Sequence, residues 1–233
     1  MNGQLKICLT GGIACGKSLL SHYLNEFGVE TIDADDIVHE LIPDPAARKR
    51  LAAEVFADPA KRRALEAKLH PLVKERINNR IIELSNDRMN GRDVSSSHSA
   101  QPPPFAHSSI RLSDHSTIRR FDNSIIRSFD NSIIRSFDYS IISPIAIVPL
   151  LFEAHWEKNF DIICCVVSER ETQISRMMTT RGYTRAEAEA RLAAQMPVAE
   201  KAAKSHYVIH NDGTPDELKE EVKKFLTWVS TLS

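Results

Sequence analysis

The chain has 233 residues, and its 30 basic and 31 acidic side chains leave a formal net charge of −1 at pH 7. This balance provides no overall basic field, which argues against nucleic acid and against an acidic membrane surface as partners. Hydrophobic residues make up 42% and charged residues 26% of the sequence, the usual composition of a globular domain with a sizeable core.

The sequence carries no signal for export or for membrane insertion. Its first residues lack the cationic and apolar regions of a secretory signal, and no apolar run approaches the roughly 20 residues of a membrane span. The four cysteines, at positions 8, 15, 164 and 165, have neither metal-ligand spacing nor the pattern of a disulfide framework. We therefore expect a cytoplasmic protein whose thiols are free and lie at buried or loop positions.

The first third of the chain predicts a strand, a glycine loop and a helix in succession. Residues 5–10 form a short apolar run that ends at Gly11, which is typical of a buried parallel strand. Helical spacing of apolar residues then predicts a helix over 18–27. The same signals predict three further elements: a strand over 29–32 and helices over 46–56 and 62–84. We expect His70-Pro71 to break the last of these helices.

Residues 88–143 differ in character from the rest of the chain. A polar and proline-rich stretch leads into nearly identical eight-residue copies, over 108–115, 116–123, 124–131 and 132–139. Eight residues is far below the roughly 20–50 of solenoid repeats, so a recent duplication is the simplest interpretation. A disordered surface excursion is favoured. A weak β-hairpin array and a binding segment are the alternatives.

The last third returns to alternating strands and helices. Apolar runs predict strands over 145–151, 161–168 and 207–209, and helical spacing predicts helices over 171–180, 185–195, 198–204 and 216–229. Strands that alternate with helices indicate a parallel α/β sheet. We expect a single domain, 1–233, interrupted by the insertion at 88–143.

Residues 11–18, GGIACGKS, fit the phosphate-loop pattern G-x-x-x-x-G-K-[ST] between a predicted strand and a predicted helix. In such a loop the glycines let successive N–H groups point at phosphate oxygens, and the helix N-terminus adds positive charge. Lys17 would reach the outer phosphates of ATP, and the Ser18 hydroxyl would help to hold Mg²⁺. A glycine-rich turn before an unrelated helix is the alternative, and it fits the pattern and its context less well.

Asp33 ends the second predicted strand, at the sheet edge where open α/β proteins bind their ligands. A carboxylate there could orient or deprotonate an attacking hydroxyl group, and phosphoryl transfer needs only one. The alternative for this acidic cluster is helix capping, since Asp is a favoured N-cap residue. We favour the catalytic role for Asp33 and the capping role for Asp35 and Asp36.

Several cationic and polar residues are weaker candidates for the site. Four arginines lie on or between the late predicted helices: Arg176, Arg181, Arg185 and Arg191. A phosphoryl-transfer site needs cations over the transferred group, so Arg176 and then Arg181 are candidates, with a solvated helix face as the alternative. His70 before Pro71 is expected to pack at a helix break rather than to act as an acid. Residues 211–213 indicate a turn.

Taken together, these motifs resemble the dephospho-CoA kinase family. The resemblance covers about 1–86 and 144–230, and it depends on the order and number of the motifs. The matching segments are the phosphate loop at 9–18, the acidic motif at 31–41, the stretches 55–59 and 69–73, the strand and loop at 148–153, the lid residues 173, 176 and 193–197, and the turn at 209–213.

This resemblance implies a P-loop nucleoside-kinase-like parallel sheet flanked by helices, with a helical acceptor-binding region and a lid. It also implies transfer of the ATP γ-phosphoryl group, with Mg²⁺, to the ribose 3′-hydroxyl of dephospho-CoA, which gives coenzyme A and ADP. The implied catalytic residues are Asp33, Lys17 and Arg176. The implied ATP-binding residues are Gly11, Gly12, Ile13, Ala14, Cys15, Gly16, Lys17, Ser18, Leu19, Asn211 and Gly213, with Ser18 as the metal ligand. The acceptor site would be bordered by Asp33, His70, Pro149, Leu150 and Leu151, in a protein that we expect to be a monomer.

The sequence departs from the family pattern at a few positions. Ala14 and Cys15 stand where the family usually has glycine or serine, and Leu19 stands where threonine is common, but neither change removes a required donor. Cys15 suggests sensitivity to thiol modification. Arg181 is displaced by one position, and the chain is shorter before Arg48, which bears on the acceptor contacts.

Three alternatives to this function are open at the sequence level. The first is a kinase for a different small molecule. The second is a nucleotide switch protein, against which the lack of an N-K-x-D guanine-selecting string and the arginine-rich lid both argue. The third is an enzyme whose intact site is blocked by the insertion.

Overall fold

The computed structural model describes residues 5–89 and 142–232. The repeat copies within 88–143 lie outside these residues, so the three interpretations of the insertion stay predictions. On either side of the undescribed stretch, a helix ends at Met89, and Ile142 is buried and bridged to Leu5.

A five-stranded sheet, parallel throughout, forms the centre of the described residues. Its strands are β1 (Ile7–Gly11), β2 (Thr31–Asp33), β3 (Ile145–Ile147), β4 (Ile162–Val167) and β5 (Tyr207–His210). They lie in the order β2-β3-β1-β4-β5, so β1 is central and the predicted parallel α/β fold is confirmed. Each predicted strand is present, although 145–151 was too long, because the backbone turns away from the sheet after Ile147.

Eight α-helices flank the sheet in the described ranges. They are α1 (Lys17–Glu26), α2 (Ala34–Leu41), α3 (Pro45–Ala57), α4 (Pro59–Met89), α5 (Arg170–Arg181), α6 (Arg185–Ala193), α7 (Val198–Ala203) and α8 (Pro215–Ser230). Local chemistry fixes several of their first residues. Thr184 and Thr214 each form a capping box with a glutamate three residues later, and Asp44 caps α3 through the Ala46 N–H.

The expected break at His70-Pro71 was wrong, because α4 is one continuous helix of 31 residues with Pro71 inside it. A proline inside a helix removes one hydrogen bond and costs about 3 kcal/mol. The helix offsets this cost by burying an apolar stripe: Val73, Ile77, Ile81 and Leu84. Each such side chain contributes about 1.5–3 kcal/mol when it leaves water, so packing outweighs the local preference.

The two faces of the sheet bury different side chains because successive residues of a strand point to opposite sides. In β1, Ile7 and Leu9 belong to the core beneath α1 and α8, whereas Cys8 belongs to the core beneath α2 and α4. All four cysteines are free and buried, as expected from the sequence. Within the described ranges, no helix combines the length and apolar character that a membrane span requires.

Candidate active site

The phosphate loop joins the end of the central strand β1 to the start of α1. Gly16 is the N-cap residue of α1 and has φ of +91°, a left-handed conformation that glycine adopts without strain. A Cβ atom at this position would also collide with the side-chain amide of Asn211. The sequence therefore needs glycine here both for the turn and for the close approach of a neighbouring side chain.

Lys17 lies across the phosphate loop. Its Nζ donates hydrogen bonds to the carbonyl oxygens of Gly11 at 3.0 Å and Gly12 at 2.8 Å. Burial lowers the pKa of the Lys17 ammonium, and the nearby charge of Lys201 lowers it further. The loop thus holds a cation directly above the backbone that the sequence assigns to phosphate binding.

Two glutamine side chains hydrogen-bond the backbone of the phosphate loop at Ile13. The Nε2 of Gln173, on α5, donates to the Ile13 carbonyl at 2.7 Å and to the Cys15 sulfur at 3.0 Å. The Ile13 N–H donates in turn to Oε1 of Gln195, beyond α6, at 3.1 Å. Sequence reasoning noted both glutamines as part of the resemblance but gave them no function, because only the fold brings them to the loop.

Arg176 and Asn211 tie the loop to the ends of β4 and β5. The Arg176 guanidinium donates to the carbonyls of Ala14 at 3.3 Å and Asn211 at 2.9 Å, and to the Ser168 hydroxyl at 3.0 Å. The side-chain amide of Asn211 donates to the Cys15 carbonyl at 2.8 Å. Two of the predicted site residues therefore lie directly against the phosphate loop.

The other late arginines lie farther out. Arg181 is exposed at the end of α5. Arg185 is paired with Glu171 and Glu189 on the surface, and the Arg191 guanidinium lies 4.2 Å from the centre of the Tyr183 ring. Arg185 and Arg191 therefore lie on a solvated helix face, which was the alternative to a role at the transferred phosphoryl group.

Asp33 ends β2 and at the same time caps α2. Its Oδ1 accepts a hydrogen bond from the Asp35 N–H at 2.8 Å, so Asp33 is the N-cap residue of α2. The prediction that Asp35 and Asp36 cap this helix was therefore wrong. Those two residues are exposed in the first turn of the helix, where their charges suit the helix dipole. Burial, together with the charges of Asp35 and Asp36, raises the pKa of Asp33 to about 6, against the opposing effects of the Asp35 N–H bond and the Lys17 charge.

The predicted acceptor residues lie around the carboxyl ends of β2 and β3. His70, on α4, packs edge-on against the Trp156 ring at a centroid distance of 5.2 Å. Leu150 is exposed in the turn after β3, whereas the Leu151 side chain is fully buried in the core beneath that turn. Only the backbone of Leu151 can therefore face a ligand in this conformation.

The remaining ATP-site predictions are spread along the loop and the turn after β5. Ser18 is exposed at the start of α1, and Leu19 packs partly buried against the core. Gly213 lies in the turn before α8, where a Cβ atom would collide with the Glu217 carboxylate of the capping box. This carboxylate is placed there by the Thr214 N–H, so the glycine serves the cap directly.

The suggestion that Cys15 is open to thiol modification is not supported by its surroundings. Its side chain is fully buried, and burial raises the pKa of the thiol despite the neighbouring Lys17. Since the thiolate is the reactive form, this thiol is neutral and shielded in the folded protein.

Sequence reasoning missed a buried ion pair beside the site. Lys201, on α7, is 0% exposed, and its Nζ lies 2.8 Å from Oε1 of Glu153 and 2.8 Å from the carbonyl oxygen of Pro149. A single lysine beside a glutamate in a six-residue helix gives no sequence signal for burial.

The oxygen donors present fit a magnesium ion of the kind that kinases use. No group of three or more His, Cys, Asp or Glu side chains suited to a metal occurs in 5–89 or 142–232. Mg²⁺ bound with nucleotides needs only one or two protein oxygens, because phosphates and water complete its shell. The exposed Ser18 hydroxyl, adjacent to Lys17 at the start of α1, is such an oxygen.

Comparison with known proteins gives a consistent result. A family model described as dephospho-CoA kinase matches residues 5–47 and 124–217, together more than half of the chain. A protein named dephospho-CoA kinase from Geobacter sulfurreducens is 32% identical, with 94% of this chain and 95% of the relative covered. A protein of the same name from Synechococcus sp. strain JA-3-3Ab is 31% identical over 94% of this chain and 90% of the relative.

Two solved structures share the fold. TT1252 from Thermus thermophilus aligns with a TM-score of 0.59 at 23% identity, and dephospho-CoA kinase from Campylobacter jejuni aligns with a TM-score of 0.53 at 19% identity. In both cases 97% of each chain is covered.

Proposed function

The chain belongs to the dephospho-CoA kinase family, which catalyses the final step of coenzyme A biosynthesis, and from that premise we propose how its residues perform the reaction. ATP binds on the phosphate loop, and the ribose of dephospho-CoA binds between that loop and Asp33. The γ-phosphoryl group moves from ATP to the 3′-hydroxyl, the hydroxyl proton moves to the Asp33 carboxylate, and ADP leaves.

The observation that carries this proposal is the position of β3 between β1, which leads into the phosphate loop, and β2, which ends at Asp33. Ile147, the last residue of β3, is paired with Leu9 of β1 on one side and with Asp33 of β2 on the other. The carboxylate therefore lies at the same sheet edge as the phosphate loop, one strand away. The Lys17 charge lowers the pKa of Asp33, and the Asp33 charge raises the pKa of Lys17, so the two groups interact electrostatically.

The phosphate loop supports binding of the ATP phosphates. Backbone N–H groups of 14–18 and the N-terminus of α1 supply donors and positive charge. Lys17 adds an ammonium group that would exchange its two carbonyl partners for phosphate oxygens. Ser18 would ligate Mg²⁺, and a bound Mg²⁺ would neutralise part of the negative charge of the phosphates. Asn211 and Gly213 would border the adenine end.

Asp33 is suited to accept the proton of the attacking hydroxyl. A pKa near 6 leaves the carboxylate ionised at neutral pH, yet it makes the group a better proton acceptor than an ordinary aspartate. Its Oδ1 is engaged by the Asp35 N–H, which fixes the orientation of the carboxyl group and leaves the second oxygen for the substrate.

Arg176 supports catalysis in two ways in this proposal. Its bonds to the Ala14 and Asn211 carbonyls hold the phosphate loop against the sheet, and its charge adds to that of Lys17 near the transferred group. His70 and the turn at 149–151 would border the acceptor. We propose that these parts act as one kinase domain in a monomeric protein.

The test is ADP release by the purified protein with MgATP, with and without dephospho-CoA, beside a K17M variant and a variant lacking residues 88–143. Dephospho-CoA-dependent release by the full chain and the shortened variant, but not by K17M, supports the proposal. Release only from the shortened variant would mean that the insertion obstructs a competent site. Binding of ATP without acceptor-dependent release by either protein would refute the assignment of the acceptor.

A further inference from the structure

Lys201 is among the largest fully buried side chains in the described ranges, and it belongs to the six-residue helix α7. A buried ammonium group is costly unless it is paired and hydrogen-bonded. Lys201 meets both conditions through Glu153 Oε1 and the Pro149 carbonyl, each at 2.8 Å. Its two partners both come from the segment that follows β3.

Glu153 connects the same segment to the region before α7. Its Oε1 accepts the Met196 N–H at 3.1 Å as well as the Lys201 ammonium. Its Oε2 is buried and has no hydrogen-bond partner in the described residues. The ion pair therefore joins two stretches, 149–153 and 196–201, that are more than 40 residues apart in sequence.

The Pro149 carbonyl links the turn after β3 both to α7 and to the end of β1. It accepts the Lys201 ammonium from α7 and the Thr10 hydroxyl, at 3.4 Å, from the end of β1. Just before it, the Val148 N–H donates to the Leu9 carbonyl at 2.9 Å. The turn that begins at Pro149 is thus fixed between the phosphate loop and Asp33, where β3 separates them.

We propose that Lys201 and Glu153 are positioning residues for the acceptor, which hold the turn at 149–151 in the register that dephospho-CoA requires. The inference rests on the proposed function, in which that turn borders the acceptor site. Lys201 fixes the turn through a carbonyl oxygen and Glu153 fixes Lys201, so the exposed Leu150 is presented from a rigid backbone. The phosphates of ATP are held elsewhere, by the loop N–H groups and Lys17.

The competing explanation is that the pair serves folding alone, and three variants separate the two. K201M removes the ammonium but keeps the length of the side chain, E153Q removes the carboxylate charge, and K201M/E153Q removes both charges. K224M is the matched control, since Lys224 is a 67% exposed lysine paired with Glu221 on α8. For each protein the melting temperature, kcat, and the KM values for ATP and dephospho-CoA are measured.

In a purely structural role, the double variant recovers stability and the wild-type KM for dephospho-CoA together. In a positioning role, it recovers stability while the KM for dephospho-CoA stays raised by roughly 10- to 100-fold, because methionine cannot donate to the Pro149 carbonyl. The KM for ATP stays near that of the wild type. If the double variant does not fold, K201M alone provides the test, since the Glu153 carboxylate keeps the Met196 N–H as a hydrogen-bond donor in that variant.

A wild-type KM for dephospho-CoA in the folded variant, or an equal rise in both KM values, would overturn the inference. The proposed function fails in a different way, through the absence of acceptor-dependent turnover in the wild-type protein and in K224M. The two failures are therefore distinguishable in the same set of assays.

Discussion

Replacement of Asp33 by asparagine separates the catalytic role of this residue from its role in the fold. Asparagine has nearly the same shape as aspartate and is an equally good N-cap residue, so the bond from the Asp35 N–H is kept. The substitution removes only the ability to ionise and to accept a proton. We expect an enzyme that folds at least as well as the wild type and that has lost its turnover.

The magnitude follows from the pKa of Asp33, which burial raises from 3.8 to about 6. In the window between these values the folded protein binds more protons at Asp33 than the unfolded chain does, so stability falls as pH rises. Above pH 6 the full cost of ionising this partly buried carboxyl group is at most about 3 kcal/mol. D33N avoids this cost, and its stability gain should therefore grow from pH 4 to pH 7 and then level off.

The assays are urea unfolding at several pH values and steady-state ADP release with dephospho-CoA. We expect D33N to be more stable than the wild type at pH 8 by about 1–3 kcal/mol. We expect kcat to fall by roughly 10²- to 10⁴-fold, the usual contribution of a general base. In the wild type, kcat/KM should rise with pH through about 6 as Asp33 ionises.

The control is D36N, because Asp36 is exposed in the first turn of the same helix and caps nothing. It should change both stability and turnover little. A D33N protein that is less stable than the wild type at pH 8, or one that keeps most of its kcat, would refute the reasoning.

Four further outcomes are expected. K17M should lower acceptor-dependent turnover by at least about 100-fold through loss of charge at the phosphates, which steady-state ADP release measures. The native protein should keep its activity under iodoacetamide, since Cys15 is buried and its raised pKa keeps it a thiol; rapid inactivation that a C15S variant escapes would contradict this. G16A should lose roughly 1–2 kcal/mol of stability from its left-handed φ, together with ATP affinity, as measured by urea unfolding and calorimetric titration. T214A should lose about 1 kcal/mol in urea unfolding because the capping box of α8 is lost, and an unchanged midpoint would argue against the cap.

The parts of the fold that the sequence predicts well are those with strong local signals. The five strands are short apolar runs. The phosphate loop is a contiguous sequence pattern, and its glycine at position 16 has the left-handed backbone conformation that favours glycine. Asp33 was identifiable because it follows a strand at the ligand-binding edge of a parallel sheet. Each of these inferences needs only a few neighbouring residues.

The parts that the sequence did not predict depend on contacts between distant segments. The proline in α4 indicated a break, but the buried stripe on that helix outweighs it. Lys201 has no local feature that predicts burial, since its partners Glu153 and Pro149 lie about 50 residues earlier. The orientation of Leu151 toward the core likewise follows from how the turn packs, and not from its neighbours in sequence.

The central claim is that this chain transfers a phosphoryl group from ATP to the 3′-hydroxyl of dephospho-CoA. The most direct measurement is identification of the product by mass spectrometry and by phosphorus NMR against authentic coenzyme A, after incubation of the full chain with MgATP and dephospho-CoA. The account predicts one added phosphate per molecule, at the ribose 3′ position, formed together with ADP. Unchanged dephospho-CoA beside released ADP, or a phosphate at any other position, would contradict it.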